Sequence, residues 1–291
     1  MSKSLQKNID FGGGFMDPSM PSYKKKYQSP YFDHCALRDN EMGEGSTNFP
    51  YTLVRQIEGR QIEINGMHHI NDPEDVSIKK LEKRMIDFID KSDRPIVFVE
   101  GGLPELPEGI TKEEAIIKYG EPGLLTWVAN KRGVEVTSPE PPLDYEVKEL
   151  LKMFKPEEVM QYYFSRQLLQ WYRNKDKDKG IGPAKEYIEN KIKRYSLVPG
   201  LEEMPQSYDY YADIFASEYS FRPEEMSEEL AVKKLQSESF PESNSVSARS
   251  GDIRDEYIMQ RIKDEAKEGR DVFLAYGSFH VFVYEQMLSQ N

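Results

Sequence analysis

Cysteine is nearly absent. Cys35 stands alone among 291 residues, which excludes an internal disulfide and a cysteine-built zinc centre and fits a reducing compartment. Histidine is almost as scarce, at four in the chain. No apolar run approaches the roughly 18 residues that a membrane span needs. The first residues carry Lys3 and Lys7 but no apolar stretch before Gly12-Gly13-Gly14, so no secretory signal is expected. Positive charge is in deficit: 39 Lys and Arg face 51 Asp and Glu, a formal charge of −12. That balance argues against nucleic acid as a partner, because phosphate neutralisation needs a basic surplus. Three catalytic signatures are missing as well: the phosphate loop G-x-x-x-x-G-K-[ST], the zincin H-E-x-x-H and the nucleophile elbow G-x-S-x-G. The expectation left is a soluble cytoplasmic protein that acts on a small molecule or peptide, with no membrane or nucleic-acid partner.

What is there suffices for a large core, since 38% of the residues are hydrophobic and 12% aromatic. Residues 1–48 are rich in Gly, Pro, Ser, Lys and Tyr without period, and read as a leader that is disordered or drapes over the body. His34 and Cys35 within it read as an incidental pair, and Lys24-Lys25-Lys26 as a solvated run. Order begins at Tyr51. Two alternating runs, 51–57 and 60–65, flank Glu58-Gly59 as a hairpin. Asn71-Asp72-Pro73 then offers a helix start, and 74–91 places Ile78, Leu81, Met85, Ile86 and Ile89 on one face.

Pro95-Ile96-Val97-Phe98-Val99 is the continuous apolar run of a strand buried on both faces. A capping box at Thr111 and Glu114 opens a helical stretch that breaks at Gly120 to Gly123 and stops at Gly133. Residues 134–138 make a further strand in this βαβ rhythm. The pattern from 143 to about 236 is helical. Its aromatic groups Tyr162-Tyr163-Phe164, Trp171-Tyr172 and Tyr208-Asp209-Tyr210-Tyr211 read as core, with a substrate cleft as the alternative. A loop over 237–251, a helix over 252–267, a strand over 271–276 and a helix over 280–288 complete the chain. The fold class expected is α/β: a small, mainly parallel sheet with an N-terminal hairpin edge strand, flanked by helices and carrying a large all-helical insertion. Its parts are a leader (1–48), the first core segment (49–142), the insertion and loop (143–250) and the last core segment (251–291).

Three of the four histidines lie in two tetrads written at opposite ends of this core. Gly66-Met67-His68-His69 follows one strand and Gly277-Ser278-Phe279-His280 follows another. If those strands are neighbours in a parallel sheet, both imidazoles emerge at its carboxyl edge, where open α/β sheets bind ligands. Glu100 and Glu140 end the two intervening strands, and Arg254 opens the helix before the last one. Two imidazoles with one or two carboxylates form a mixed nitrogen–oxygen set suited to manganese, cobalt, iron or zinc. The same set without metal supplies a general base with an orienting carboxylate, and an arginine for an oxyanion. Both uses stay open at this level.

The two G-x-x-H tetrads, the strand ending at Glu100 and the helix Arg254-Asp255-Glu256-Tyr257-Ile258-Met259, in that order, resemble the Tiki/TraB superfamily. That superfamily takes in TraB/GumN-like, ChaN-like haem-binding and erythromycin-esterase-like proteins. The likeness covers about 50–140 and 250–291. It implies an α/β core and a site made of His69, Glu100, Arg254 and His280, to which the strand-end reading adds Glu140, with His69, His280 and Glu100 as ligands wherever a divalent transition metal is held. It also implies hydrolysis of a peptide or ester bond, or, as the alternative, binding of haem, iron or a small ligand without turnover. His68 adds a second imidazole to the first tetrad; the family spacing favours His69 as the inward one.

Overall fold

A computed structural model describes residues 27, 29–31, 49–174, 184–225 and 244–289. Five strands form one mixed sheet: β1 (Tyr51–Ile57), β2 (Arg60–Met67), β3 (Pro95–Val99), β4 (Glu135–Thr137) and β5 (Asp271–Gly277). Their spatial order is β1-β2-β5-β3-β4, with β1 antiparallel and the other pairs parallel. The chain therefore is α/β as expected. Its last strand enters the middle of the sheet, between β2 and β3, and this insertion brings the two ends of the core together.

Each strand is explained by its local chemistry. Glu58 and Gly59 both adopt positive φ, 51° and 73°, the backbone of a tight turn whose twist matches the strands it joins. Alternation then divides the sheet. Ile62, Ile64, Ile96, Phe98, Val272, Leu274 and Tyr276 pack on one side against Ile258, Met259, Ile262, Val281 and Tyr284. Met67, Val97, Val99, Phe273 and Ala275 pack on the other against Ile78, Leu81, Met85, Phe88, Leu124 and Leu125. The first helical layer is α7 (Ser245–Lys267) with α8 (Ser278–Ser289), and the second is α1 (Val76–Lys91) with α2 (Lys112–Arg132). Among the described residues no helix is long and apolar enough to cross a membrane.

The insertion comprises α3 (Leu143–Leu150), α4 (Pro156–Asn174), α5 (Ala184–Tyr195) and α6 (Tyr208–Tyr219), and has its own apolar core. Tyr162, Tyr163, Phe164, Tyr208 and Tyr211 are buried in it, so these aromatics serve packing. A buried carboxylate fastens the insertion to α7: Glu146 accepts from Tyr163 Oη at 3.1 Å and from Ser250 Oγ at 2.6 Å. The described leader residues lie on the same helix, where Tyr27 and Ser29 each donate to Asp252 at 2.7 Å. His34, Cys35, Lys24-Lys25-Lys26 and the stretches 175–182 and 237–243 lie outside the described residues.

Several boundaries move. Helix α1 starts at Asp75, whose carboxylate accepts from Ser77 N at 2.6 Å, and not at Asn71-Asp72-Pro73, which stay in the β2–α1 loop. Helix α7 starts at Ser245, seven residues before the expected start, because Asn244 caps it by accepting from Val246 N and Ser247 N. Helix α8 follows β5 directly. The last three residues of the second tetrad are therefore its first turn, whereas those of the first tetrad run from strand end into loop.

The register sets the tetrads side by side, with Gly66 opposite Tyr276 and Met67 opposite Gly277. A Cβ on Gly66 would sit 2.9 Å from Ser278 Cα and 3.2 Å from Val281 Cγ2. The glycine of the first tetrad is thus the space into which the second tetrad's helix packs. Gly66→Ala is expected to destabilise the protein by about 1–3 kcal/mol through overpacking, read as a lower urea midpoint at unchanged slope. An unchanged midpoint would show that α8 yields at no cost.

Candidate functional site

The carboxyl edge of the sheet carries a small cleft lined by Met67, His69, Glu100, Glu121, Pro122, Ala275 and Tyr276. A wider depression, lined by Phe49, Pro50, Lys80, Lys83, Arg84 and Asp87, holds none of the expected site residues. The two neighbouring histidines part company at the end of β2. His68 turns away and meets the Phe49 ring edge-on, at 3.7 Å between ring centroids. His69 takes a positive φ of 39° and keeps 69% of its side chain exposed at the mouth of the cleft. The inward imidazole of the first tetrad is His69.

His69 stands between two carboxylates. Its Nε2 is 3.9 Å from Glu100 Oε2, and its Nδ1 is 3.9 Å from Glu121 Oε1. Glu100 is the residue after β3, and its Oε2 accepts the Gly277 N–H at 2.6 Å, so the second tetrad's glycine fixes the carboxylate facing the first tetrad's histidine. A Cβ on Gly277 would stand 3.5 Å from Glu100 Oε2 and 3.6 Å from His280 Cδ2; both groups converge on it.

Glu121 was not foreseen as a site residue. It follows Gly120, whose φ of 65° and ψ of −144° end the first piece of α2, and it precedes Pro122, which sits in the first turn of the second piece, where its missing N–H costs nothing. The kink is pinned to the loop carrying His69, since a Cβ on Gly120 would lie 3.1 Å from Asn71 Oδ1 and 3.2 Å from the Ile70 carbonyl. Glu121 is 5% exposed, and its Oε1 has no hydrogen-bond partner among the described residues. Burial raises its carboxyl above the ordinary range, against the opposing pull of backbone hydrogen bonds and His69. A carboxylate inside Gly120-Glu121-Pro122-Gly123, a helix break between helical runs, was the sequence signal for it.

Glu140 and Arg254 find each other. Arg254 donates through Nε at 2.9 Å and Nη2 at 2.8 Å to the two carboxylate oxygens, a bidentate pair, and Nη2 also donates to Tyr276 Oη at 2.8 Å. Tyr276 closes the triangle with a short hydrogen bond to Glu140, and Gly101 N donates to the same carboxylate at 3.3 Å. Burial alone would raise the Glu140 carboxyl; Arg254, Tyr276 and Gly101 outweigh it and bring it down to about 2. The guanidinium is committed to this network, so Arg254 positions the floor of the site beneath Tyr276. The adjacent acids go elsewhere: Glu256 takes Arg249 at 2.9 Å, and Asp255 takes His280.

His280 Nδ1 is 2.8 Å from Asp255 Oδ1, and the Asp255 side chain is 4% exposed. Burial pushes the imidazole pKa down, but the charge and hydrogen bond of Asp255 reverse this and leave it raised above 6.5. A histidine whose folded pKa is raised stabilises fully below pH 6.5, and that stabilisation is lost as pH rises through the folded value. Asp255→Asn is therefore expected to lower the melting temperature most at pH 5.5 and progressively less towards pH 9. A loss equal at both ends would remove the charge pair as its cause.

Two imidazoles and three carboxylates supply metal-ligand chemistry, but their placement does not gather it. Among the described residues no three His, Cys, Asp or Glu side chains form a metal-holding group. His69 turns a different nitrogen to each carboxylate, so no single ion takes both contacts; the Asp255 hydrogen bond engages His280 Nδ1 and leaves its Nε2 open. No step below runs through a metal. What the arrangement can do is move protons around an accessible imidazole. Compared with protein-family models, curated proteins and solved structures, the chain matches none, and its site stands on its own residues.

Proposed function

We propose that this cleft hydrolyses an ester or amide bond by general acid–base chemistry. One observation carries the reading: an exposed imidazole, His69, lies between a carboxylate hydrogen-bonded in place, Glu100, and a buried carboxyl, Glu121, whose Oε1 has no hydrogen-bond partner among the described residues. His69 takes a proton from a water molecule that attacks the substrate carbonyl, and Glu100 orients that water and favours the imidazolium that forms. We assign to His280, whose charged form Asp255 favours and whose Cδ2 stands with Glu100 beside Gly277, the stabilisation of the charge developing on the carbonyl oxygen. Glu140, Arg254 and Tyr276 hold the strand ends in register beneath these groups. The ordered likeness to the Tiki/TraB superfamily, which includes esterases and peptidases, agrees with this reading.

The test is turnover by the purified full-length protein of a panel of aryl esters, alkyl esters and short peptides. Hydrolysis of at least one class above the buffer rate is expected. No turnover of any member would overturn the proposal, and a visible absorption band on the same preparation would then favour the haem- or iron-binding alternative.

A further inference from the structure

Among the described residues that line the cleft, Glu121 carries a buried oxygen with no hydrogen-bond partner. Its side chain is 6% exposed, its Oε1 is buried without a partner among the described residues, and it points at His69 Nδ1 across 3.9 Å. Burying a carboxyl oxygen without a partner is costly, and such a group calls for an explanation, of which a catalytic role is one. The backbone that places it is equally specific. A Cβ on Gly123, two residues on, would lie 2.2 Å from the Ala115 carbonyl, so only glycine lets the two pieces of α2 close at this kink. The break, the Pro122 helix start and the packing of Gly120 on the His69 loop all aim this carboxyl into the cleft.

We infer that Glu121 is the catalytic acid of the proposed hydrolysis, the group that protonates the departing alcohol or amine. This rests on the hydrolase reading. Water gives one proton to His69 as its oxygen bonds to the carbonyl carbon. The tetrahedral intermediate then collapses, the bond from carbon to the leaving oxygen or nitrogen breaks, and that atom takes the proton of Glu121. The imidazolium of His69 returns its proton to the Glu121 carboxylate across the contact between them, and the site is restored. Atoms and protons balance with water as the sole co-reactant. The two contacts of His69 gain distinct uses: one side meets the water beside Glu100, and the other recharges the acid. The substrate class follows, since only an ester or amide with a poorly leaving alkoxide or amine needs such an acid; a phenolate departs without one.

The experiment compares an ethyl ester and a p-nitrophenyl ester of the same acyl group, with wild-type protein and Glu121→Gln. Removing a general acid lowers turnover about 10²–10⁴-fold; that loss is expected on the ethyl ester, with the p-nitrophenyl ester kept within about threefold. Glu121→Asp, which keeps the acid one methylene short, is expected to recover part of the ethyl-ester rate, and it covers the case in which the glutamine variant fails to fold. Equal losses on both esters would mark Glu121 as structural and overturn the assignment, as would no loss on either. Absence of wild-type turnover on both esters would instead overturn the hydrolase reading and this role with it.

Discussion

Replacing His69 with alanine is expected to lower turnover of the best ester or peptide substrate by about 10²–10⁴-fold, the loss that follows removal of a positioned general base. The reason for expecting a chemical and not a structural loss lies in its surroundings. The side chain is 69% exposed, so truncation opens no buried cavity. Its backbone does sit at a φ of 39°, where alanine is less at ease than histidine or asparagine. His69→Asn is therefore the matched control, since it tolerates the left-handed backbone yet supplies no base. Both variants should melt within a few degrees of wild type and both should be inactive. His68→Ala, which loses the ring contact with Phe49, should keep its turnover. Turnover of His69→Asn within tenfold of wild type would remove His69 from the mechanism.

Arg254→Met should produce the largest loss of stability of any single exchange at the site. Both partners of the Arg254–Glu140 pair expose 18% of their side chains, so removing the guanidinium strands a carboxylate that burial already penalises. Leaving one charge of such a pair unmatched costs about 3 kcal/mol, and the Tyr276 hydroxyl loses its Arg254 donor at the same stroke. Acid titration tests the same number independently. The folded carboxyl lies at about 2 against an ordinary 4.5. A group with a depressed folded pKa contributes its stability above the unfolded value and loses it as pH falls through the folded one. The shift corresponds to roughly 3 kcal/mol, present at pH 7 and withdrawn between about pH 4.5 and 2. In Arg254→Met that acid limb should flatten, and the double variant Arg254→Met/Glu140→Gln should recover part of the loss at pH 7. A urea-unfolding difference under about 1 kcal/mol at pH 7 would show the pair to be as weak as an exposed one.

How far the chain could be read depended on how local each determinant is. The hairpin at Glu58-Gly59, the apolar strand 95–99, the capping box at Thr111 and Glu114 and the break at Gly120 are all settled by neighbours in sequence, and the structure reproduces each. The starts of α1 and α7 differ from expectation because several polar residues compete to cap a helix there, and the side chains that accept from first-turn amides are those of Asp75 and Asn244.

Periodicity and turn chemistry thus sufficed for an α/β core with a G-x-x-H tetrad at the end of each of two strands; that these strands are parallel neighbours was decided by the sheet. The same patterns named His69, Glu100, Glu140, Arg254 and His280 as groups of one sheet edge. Pairing among those groups was beyond them. That Gly277 holds Glu100, that Arg254 takes Glu140 while Asp255 takes His280, and that His69 and not His68 turns inward are contacts between residues far apart in the chain. Glu121 is the sharpest case. Its place in the sequence is an ordinary helix break, and only packing of that break against the His69 loop makes it a buried carboxyl with one oxygen, Oε1, left without a partner among the described residues. Strand and helix patterns follow from interactions a few residues long. The protonation and orientation of a site follow from what long-range packing leaves in contact with water.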